Sequence, residues 1–142
     1  MIEIARAELT SSASPERFVA RSRDLATHPE WAAGMEYFRL ADAFAVGARG
    51  VLKVRGGSEA PFVVTEYVEG RSYADTTILD GAELTVHHSA SPSGAGSDLV
   101  LRAWVTGPRA AEYADQLRAD VQRSLDADLA ALAHLLESEG AA

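Results

Sequence analysis

Ala114, Leu117, Val121, Leu125, Leu129, Leu132 and Leu136 step by three or four residues near the end of the chain. That spacing lays them along one stripe of a helix, with Asp, Arg, Gln and Glu filling the other side. The helix is predicted to open after Gly107-Pro108 and to run over about 108–138. A helix of about 30 residues reaches roughly 45 Å. A small sheet needs no such length unless it wraps around the helix, so the stripe asks for a curved partner.

The preceding sequence supplies one. From Met35 onward it reads as short extended runs, "MEYFRLADA", "GVLKVRG", "FVVTEYV", "RSYADTTIL", "AELTVHHSA" and "DLVLRAWV". Breaks are predicted at Gly47, Gly56-Gly57, Gly70, Asp80-Gly81 and Pro92–Gly96. Valine, threonine and aromatic residues recur at alternate positions, and the short turns favour antiparallel neighbours. Residues 2–10 alternate as a first strand. Ser14-Pro15-Glu16 starts a helical region, with a capping serine and proline at the first helical position. His28-Pro29 interrupts it, because the residue before proline avoids the helical conformation, and a second short turn around Glu30–Ala33 carries Trp31. The predicted class is α+β, a single domain over 1–142: a strand, short helices over about 14–33, strands over about 35–106, then one long helix across a curved sheet.

Composition narrows the function. The chain has 142 residues, enough for one core and a cavity, and no cysteine, which excludes disulfides and thiol chemistry. Its formal net charge of −8, without a basic run, argues against nucleic acid and against anionic membrane surfaces. No apolar run approaches the roughly 18 residues of a membrane span, and the alternating start is no signal peptide. A cytoplasmic location is the default expectation. The four histidines, His28, His87, His88 and His134, lack the spacing of a metal site on one face. "GARGVLKVRGG" and "GAG" make no phosphate-binding pattern between strand and helix. No cofactor is expected.

With the element order in view, the chain resembles the START/Bet v 1-like (SRPBCC) helix-grip superfamily, and within it bacterial polyketide cyclase/dehydrase-like members. The resemblance spans nearly the whole chain and rests on Trp31 after the helical segment, "VTEYVEGRSYADTTI", "AELTVHH", and "GSDLVLRAWVTGP" leading into the last helix. It implies a deep pocket between the concave face of the sheet and the C-terminal helix. It further implies a lipid, sterol, hormone or polyketide ligand, and in some members enzymatic activity. In such proteins a histidine often stands where His88 stands, and a second on the next strand. Leu101 takes that second position here, which weakens the case for a histidine pair. A cone-shaped NTF2-like domain has a similar size, but its helices come first and its sheet last.

Strand alternation sends Leu84, Val86, His88 and Ala90 to one face and His87 to the other. The first set is apolar apart from His88 and is predicted to face inward, leaving His87 solvated. Leu99, Leu101, Ala103 and Val105 should also face inward, with Arg102 and Trp104 outside. Pairing about Gly70 sets Glu66 near Tyr73 and Val64 near Asp75 on one face. The predicted polar cluster is thus Glu66, Tyr73, Asp75, Thr77 and His88 in an apolar cup, with Trp31, Val64, Val86 and Leu101 as further ligand contacts. A register slip of one residue reverses such an assignment.

Each candidate has two readings. His88 is either a ligand-binding or acid/base group, or a core histidine satisfied by Asp75, Tyr73 or backbone. Glu66 and Asp75 are either general bases raised by an apolar pocket, or carboxylates at its mouth paired with Arg55 or Arg71. Tyr73, Tyr37, Phe62 and Trp31 form either a wall for a flat ligand or ordinary core. The function expected first is binding of a small hydrophobic or aromatic ligand. The alternatives are a polyketide cyclase or dehydratase with His88, Glu66 or Asp75 moving protons, and an interaction module whose outer Trp104–Arg102 face meets a partner or a second copy in a homodimer.

Overall fold

The structure is a computed structural model that describes residues 1–141; residue 142 of the expected domain lies outside the described residues. The alternating N-terminus forms β1 (Ile2–Ser11). Ser14 then caps α1 (Pro15–Arg23), its hydroxyl accepting the Arg17 N–H at 3.2 Å, and Pro15 occupies the first turn, where no partner is needed for an N–H. A 3-10 helix (Leu25–Glu30) follows and carries Pro29 inside it. It ends on Trp31, whose backbone N–H donates to the His28 carbonyl at 3.1 Å. The predicted break at His28-Pro29 is therefore a tighter helix rather than an interruption.

Six further strands follow: β2 (Met35–Leu40), β3 (Arg49–Val54), β4 (Ala60–Val68), β5 (Ser72–Leu79), β6 (Ala82–Ser93) and β7 (Gly96–Thr106). The long helix α2 (Ala110–Ala141) closes the chain. The break expected over Pro92–Gly96 shrinks to the residues between Ser93 and Gly96. Past Ala90 the β6 strand has outrun β5, whose first residue pairs with Ser89, so Pro92 lies where one side of the strand is unpaired and its missing N–H costs nothing.

All seven strands join one antiparallel sheet in the order β1-β7-β6-β5-β4-β3-β2. The first strand thus lies beside the last, and α2 packs back over both. Register shifts interrupt β1 between Glu3 and Ala5, β2 between Met35 and Tyr37, and β4 between Val64 and Glu66. Such bulges bend a strand and increase its twist, and here they curve the sheet around the helix. Gly107 makes the corner from β7 into α2 at a φ of +109°, and a Cβ there would stand 2.9 Å from the Gly81 carbonyl oxygen. Only glycine lets that corner close.

The helix meets the sheet unevenly. Leu129, Leu132, Ala133 and Leu136 are buried against the alternating Leu99, Leu101, Ala103 and Val105 of β7. Leu117 and Val121, on the same stripe two turns earlier, are only half-buried. The C-terminal half of α2 is therefore the anchor, and the earlier turns roof an open space. His134 is exposed, as its place off the stripe predicts. Among the described residues, no helix is long and apolar enough to cross a membrane.

Candidate functional site

That space is a cavity of about 410 Å³. Its floor is the concave face of β5, β6 and β7, contributed by Asp75, Leu84, Val86, His88 and Leu101. One wall is the 3-10 helix and the turn after it, with His28, Trp31, Ala32, Gly34 and Met35, joined by Phe38 from β2. The roof is α2 from Leu117 to Asp128. Exposed Gly34, Val54, Asp120 and Ser124 line the same space, so its mouth lies between α2 and the end of β3.

Trp31, Asp75, Val86, His88 and Leu101 thus meet in one cavity. Strand alternation carried four of them there, and His88 stands directly across from Leu101. Three other predicted contacts lie behind or beside the lining. Val64 and Tyr73 are fully buried, and Thr77, on the same concave face, lies outside the cavity wall.

Glu66 requires a correction. The bulge in β4 lets Val64 pair with Asp75 as predicted but sets Glu66 opposite Ala74 instead of Tyr73. The extra residue turns Glu66 to the convex face, where its carboxylate meets His87 Nε2 at 2.6 Å. Its pKa is lowered, first by a hydrogen bond from Ser72 and then by His87. Glu66 is therefore no cavity group and pairs with neither Arg55 nor Arg71. His87 is on the outer face as predicted, but it is not freely solvated. Its side chain is 19% exposed and its ring lies 5.9 Å from that of Trp104. Trp104 is half-covered by these own-chain neighbours, with the Arg102 guanidinium 5.2 Å from its ring centre.

Inside, Tyr73 and Asp75 share a face because they are two residues apart on β5. The Tyr73 hydroxyl donates to Asp75 Oδ2 at 2.7 Å. Burial pushes the Asp75 carboxyl up to about 6, and the Tyr73 bond only partly opposes this. Burial, followed by the Asp75 charge, raises the Tyr73 phenol out of reach of ordinary pH. Tyr73 is thus a positioning residue, and Asp75 presents a carboxyl to the cavity near its titration point.

His28 organises the wall. Its Nε2 lies 2.5 Å from the Ser22 carbonyl, which can only accept, so Nε2 carries the proton. Burial pulls its pKa down to about 4, and the ring is neutral at pH 7. Trp31 and Phe38 pack on it with ring centres at 4.6 and 4.7 Å, and His88 stands 6.1 Å away. Burial, then the neighbouring His28 and His87, hold His88 well below its usual range. No partner satisfies the buried His88 Nδ1 or the buried Trp31 Nε1. The expectation that Asp75 or Tyr73 satisfies His88 fails: neither bonds to His88 Nδ1, and Tyr73 donates to Asp75 instead.

Sequence reasoning missed His28 and Asp128. The first sits in a His-Pro step followed by Trp31, a pattern read as a break rather than as a wall. The second lies three residues past Leu125 and seven past Val121, on the edge of the apolar stripe. A carboxylate at apolar helical spacing was the legible signal. Desolvation alone raises the Asp128 carboxyl to about 6. Among the described residues, no three metal-ligating side chains gather in one place.

No protein-family model matches the sequence, and no curated protein matches it either. Solved structures do match in shape. The di-domain ARO/CYC StfQ from the steffimycin biosynthetic pathway superposes at a TM-score of 0.79 and 12% identity, over 99% of this chain and 53% of that one. This chain spans about half the length of that protein. Ara h 8.0201 gives a TM-score of 0.71 at 14% identity, over 94% of this chain and 96% of that one. The Aha1 dimer from Colwellia psychrerythraea gives 0.69 at 15%, over 96% and 97%. At such identities the likeness is one of architecture: the chain has a Bet v 1-like helix-grip fold, a curved seven-stranded antiparallel sheet gripping a long C-terminal helix.

Proposed function

We propose that the chain is a single-domain binding protein for a small hydrophobic or aromatic ligand, lipid- or polyketide-like, held in the cavity between sheet and α2. The observation that carries this reading is an apolar cavity of about 410 Å³ with a few polar side chains, Asp75, His88 and Asp128, set among its apolar lining. Small-molecule sites fall at roughly 300–1,000 Å³ and combine apolar walls with a few convergent polar groups. Apolar burial, at about 25 cal/mol per Å², supplies most of the affinity. The shared fold of StfQ, an ARO/CYC protein, and of Ara h 8.0201 supports the same reading.

Native mass spectrometry of freshly purified protein, followed by denaturing extraction, tests it. A co-purified aromatic or lipid-like compound supports the reading, and repeated recovery of empty protein shifts weight to a filled core. Val86→Trp supplies the matched control. Val86 lines the middle of the floor, so a tryptophan there fills existing space rather than displacing core. Affinity for the recovered compound is expected to fall at least about tenfold, a loss of about 1.4 kcal/mol, while urea unfolding stays close to wild type. Unchanged affinity would move the ligand out of the cavity.

A second reading has its own support: Asp75 and Asp128 both face the cavity with carboxyls raised to about 6. Carboxyls near neutrality can move protons during ring closure or dehydration of a polyketide-like substrate. Asp75 would be the base, with neutral His88 beside it orienting a substrate oxygen. Glu66 takes no part. Turnover with an inflection near pH 6 that Asp75→Asn abolishes would make the protein an enzyme.

A further inference from the structure

The charges on the cavity wall restrict what can enter it. Among the lining residues stand three aspartates, Asp75, Asp120 and Asp128, and no lysine or arginine. Asp120 is exposed and paired with Arg123 outside the cavity. Asp75 is 4% exposed and bonded only to the neutral Tyr73 hydroxyl. Asp128 is half-buried, and burial is the sole influence on its carboxyl. A charge taken partly out of water without a partner is costly, and a counter-ion relieves that cost.

The remaining polar groups add no positive charge. His28 and His88 are buried and neutral. Indole and phenyl faces at Trp31 and Phe38 attract cations through their ring quadrupoles. An incoming carboxylate or phosphate would meet acidic groups on floor and roof with no cation to balance them. An incoming ammonium would meet a carboxylate on the roof and aromatic faces on the wall.

Resting on the reading of the cavity as the binding site, we propose that it selects a ligand with an apolar or aromatic body and a basic nitrogen carried as a cation. The nitrogen pairs with Asp128 beneath α2, and the body lies over Val86 and Leu101. Free fatty acids, aromatic acids and phosphate-bearing lipids are disfavoured.

Three probes of one shape test this by calorimetry on the full chain at pH 7.5: 1-naphthylmethylamine, 1-naphthalenemethanol and 1-naphthoate. The amine is expected to bind at least about tenfold tighter than the acid, with the alcohol between them; like and unlike charges in a partly desolvated site differ by at least that much. Asp128→Asn should cut the amine's advantage over the alcohol several-fold and leave the alcohol where it was. Ser124→Lys, at the exposed rim and so without risk to folding, should raise the affinity of the acid and lower that of the amine. An acid that binds as tightly as the amine, or an amine preference that neither substitution reduces, would overturn the proposal while leaving the cavity as the binding site. Failure of all three probes to bind would overturn both readings together.

Discussion

Asp75→Asn is expected to stabilise the empty protein at pH 7.5 by about 1–3 kcal/mol, raising the unfolding midpoint by several degrees. Asp75 is raised from 3.8 to about 6 by burial, and each unit of such a shift corresponds to about 1.4 kcal/mol. The upper bound follows from that difference of about two units, and the lower bound allows for relaxation around the new amide. Asparagine keeps an oxygen for the Tyr73 hydroxyl, so that donor is not stranded, while its amide N–H groups enter a buried site and take back part of the gain. The sign fixes the pH window. A carboxyl whose pKa is higher folded than unfolded gives its full contribution below the unfolded value, and loses it as pH rises through the folded one. The advantage of the asparagine variant should therefore be largest above pH 6 and vanish near pH 4.

His28 works in the opposite direction. Its folded pKa of about 4 lies below the ordinary imidazole value of 6.5, so stability is lost as pH falls from 6.5 towards 4. The two trends oppose each other over one window, and the wild-type curve alone hides both. The difference between variant and wild type in urea unfolding isolates Asp75. A variant no more stable than wild type, or one whose advantage persists at pH 4, would mean that the carboxyl is not strained by burial. A side chain that costs the fold and faces a cavity is retained for what enters the cavity.

Much of this was legible from periodicity. The leucine stripe of α2 and the alternation in "AELTVHH" set the helix across a curved sheet and pointed His88 inward, because both patterns depend on one face being buried along a whole element. Glu66 was illegible for the converse reason. A bulge adds one residue to one strand without altering the alternation of its partner, so "FVVTEYV" reads as a regular strand while Thr65 and Glu66 both leave the cavity side. The wall was hidden by a different effect. His28 and Trp31 come from a 3-10 helix and the turn after it, and only tertiary packing brings Phe38 of the edge strand β2 within 5 Å of His28. No local period encodes that meeting.

Leu129→Ala is expected to cost about 3–5 kcal/mol and Leu117→Ala about 1 kcal/mol, although both leucines belong to the same stripe. Leu129 is 1% exposed and packed against the sheet, so truncation removes buried methyl groups and leaves a closed void. Leu117 is half-buried with the cavity beneath it, so truncation widens a space that already exists and loses fewer contacts. Binding should order the pair the other way. Leu117 lines the cavity, and its loss should weaken 1-naphthalenemethanol several-fold through lost apolar contact. Leu129 lies outside the lining, and its variant should bind normally wherever it remains folded. Urea unfolding and calorimetry on the two variants measure both orders. Equal stability losses would mean that α2 is packed evenly along its length, and the division of the helix into an anchored half and a roof would fall. Opposite orders for stability and affinity would show how one amphipathic stripe divides its work: its later turns hold the sheet, and its earlier turns leave the room that the sheet curves to enclose.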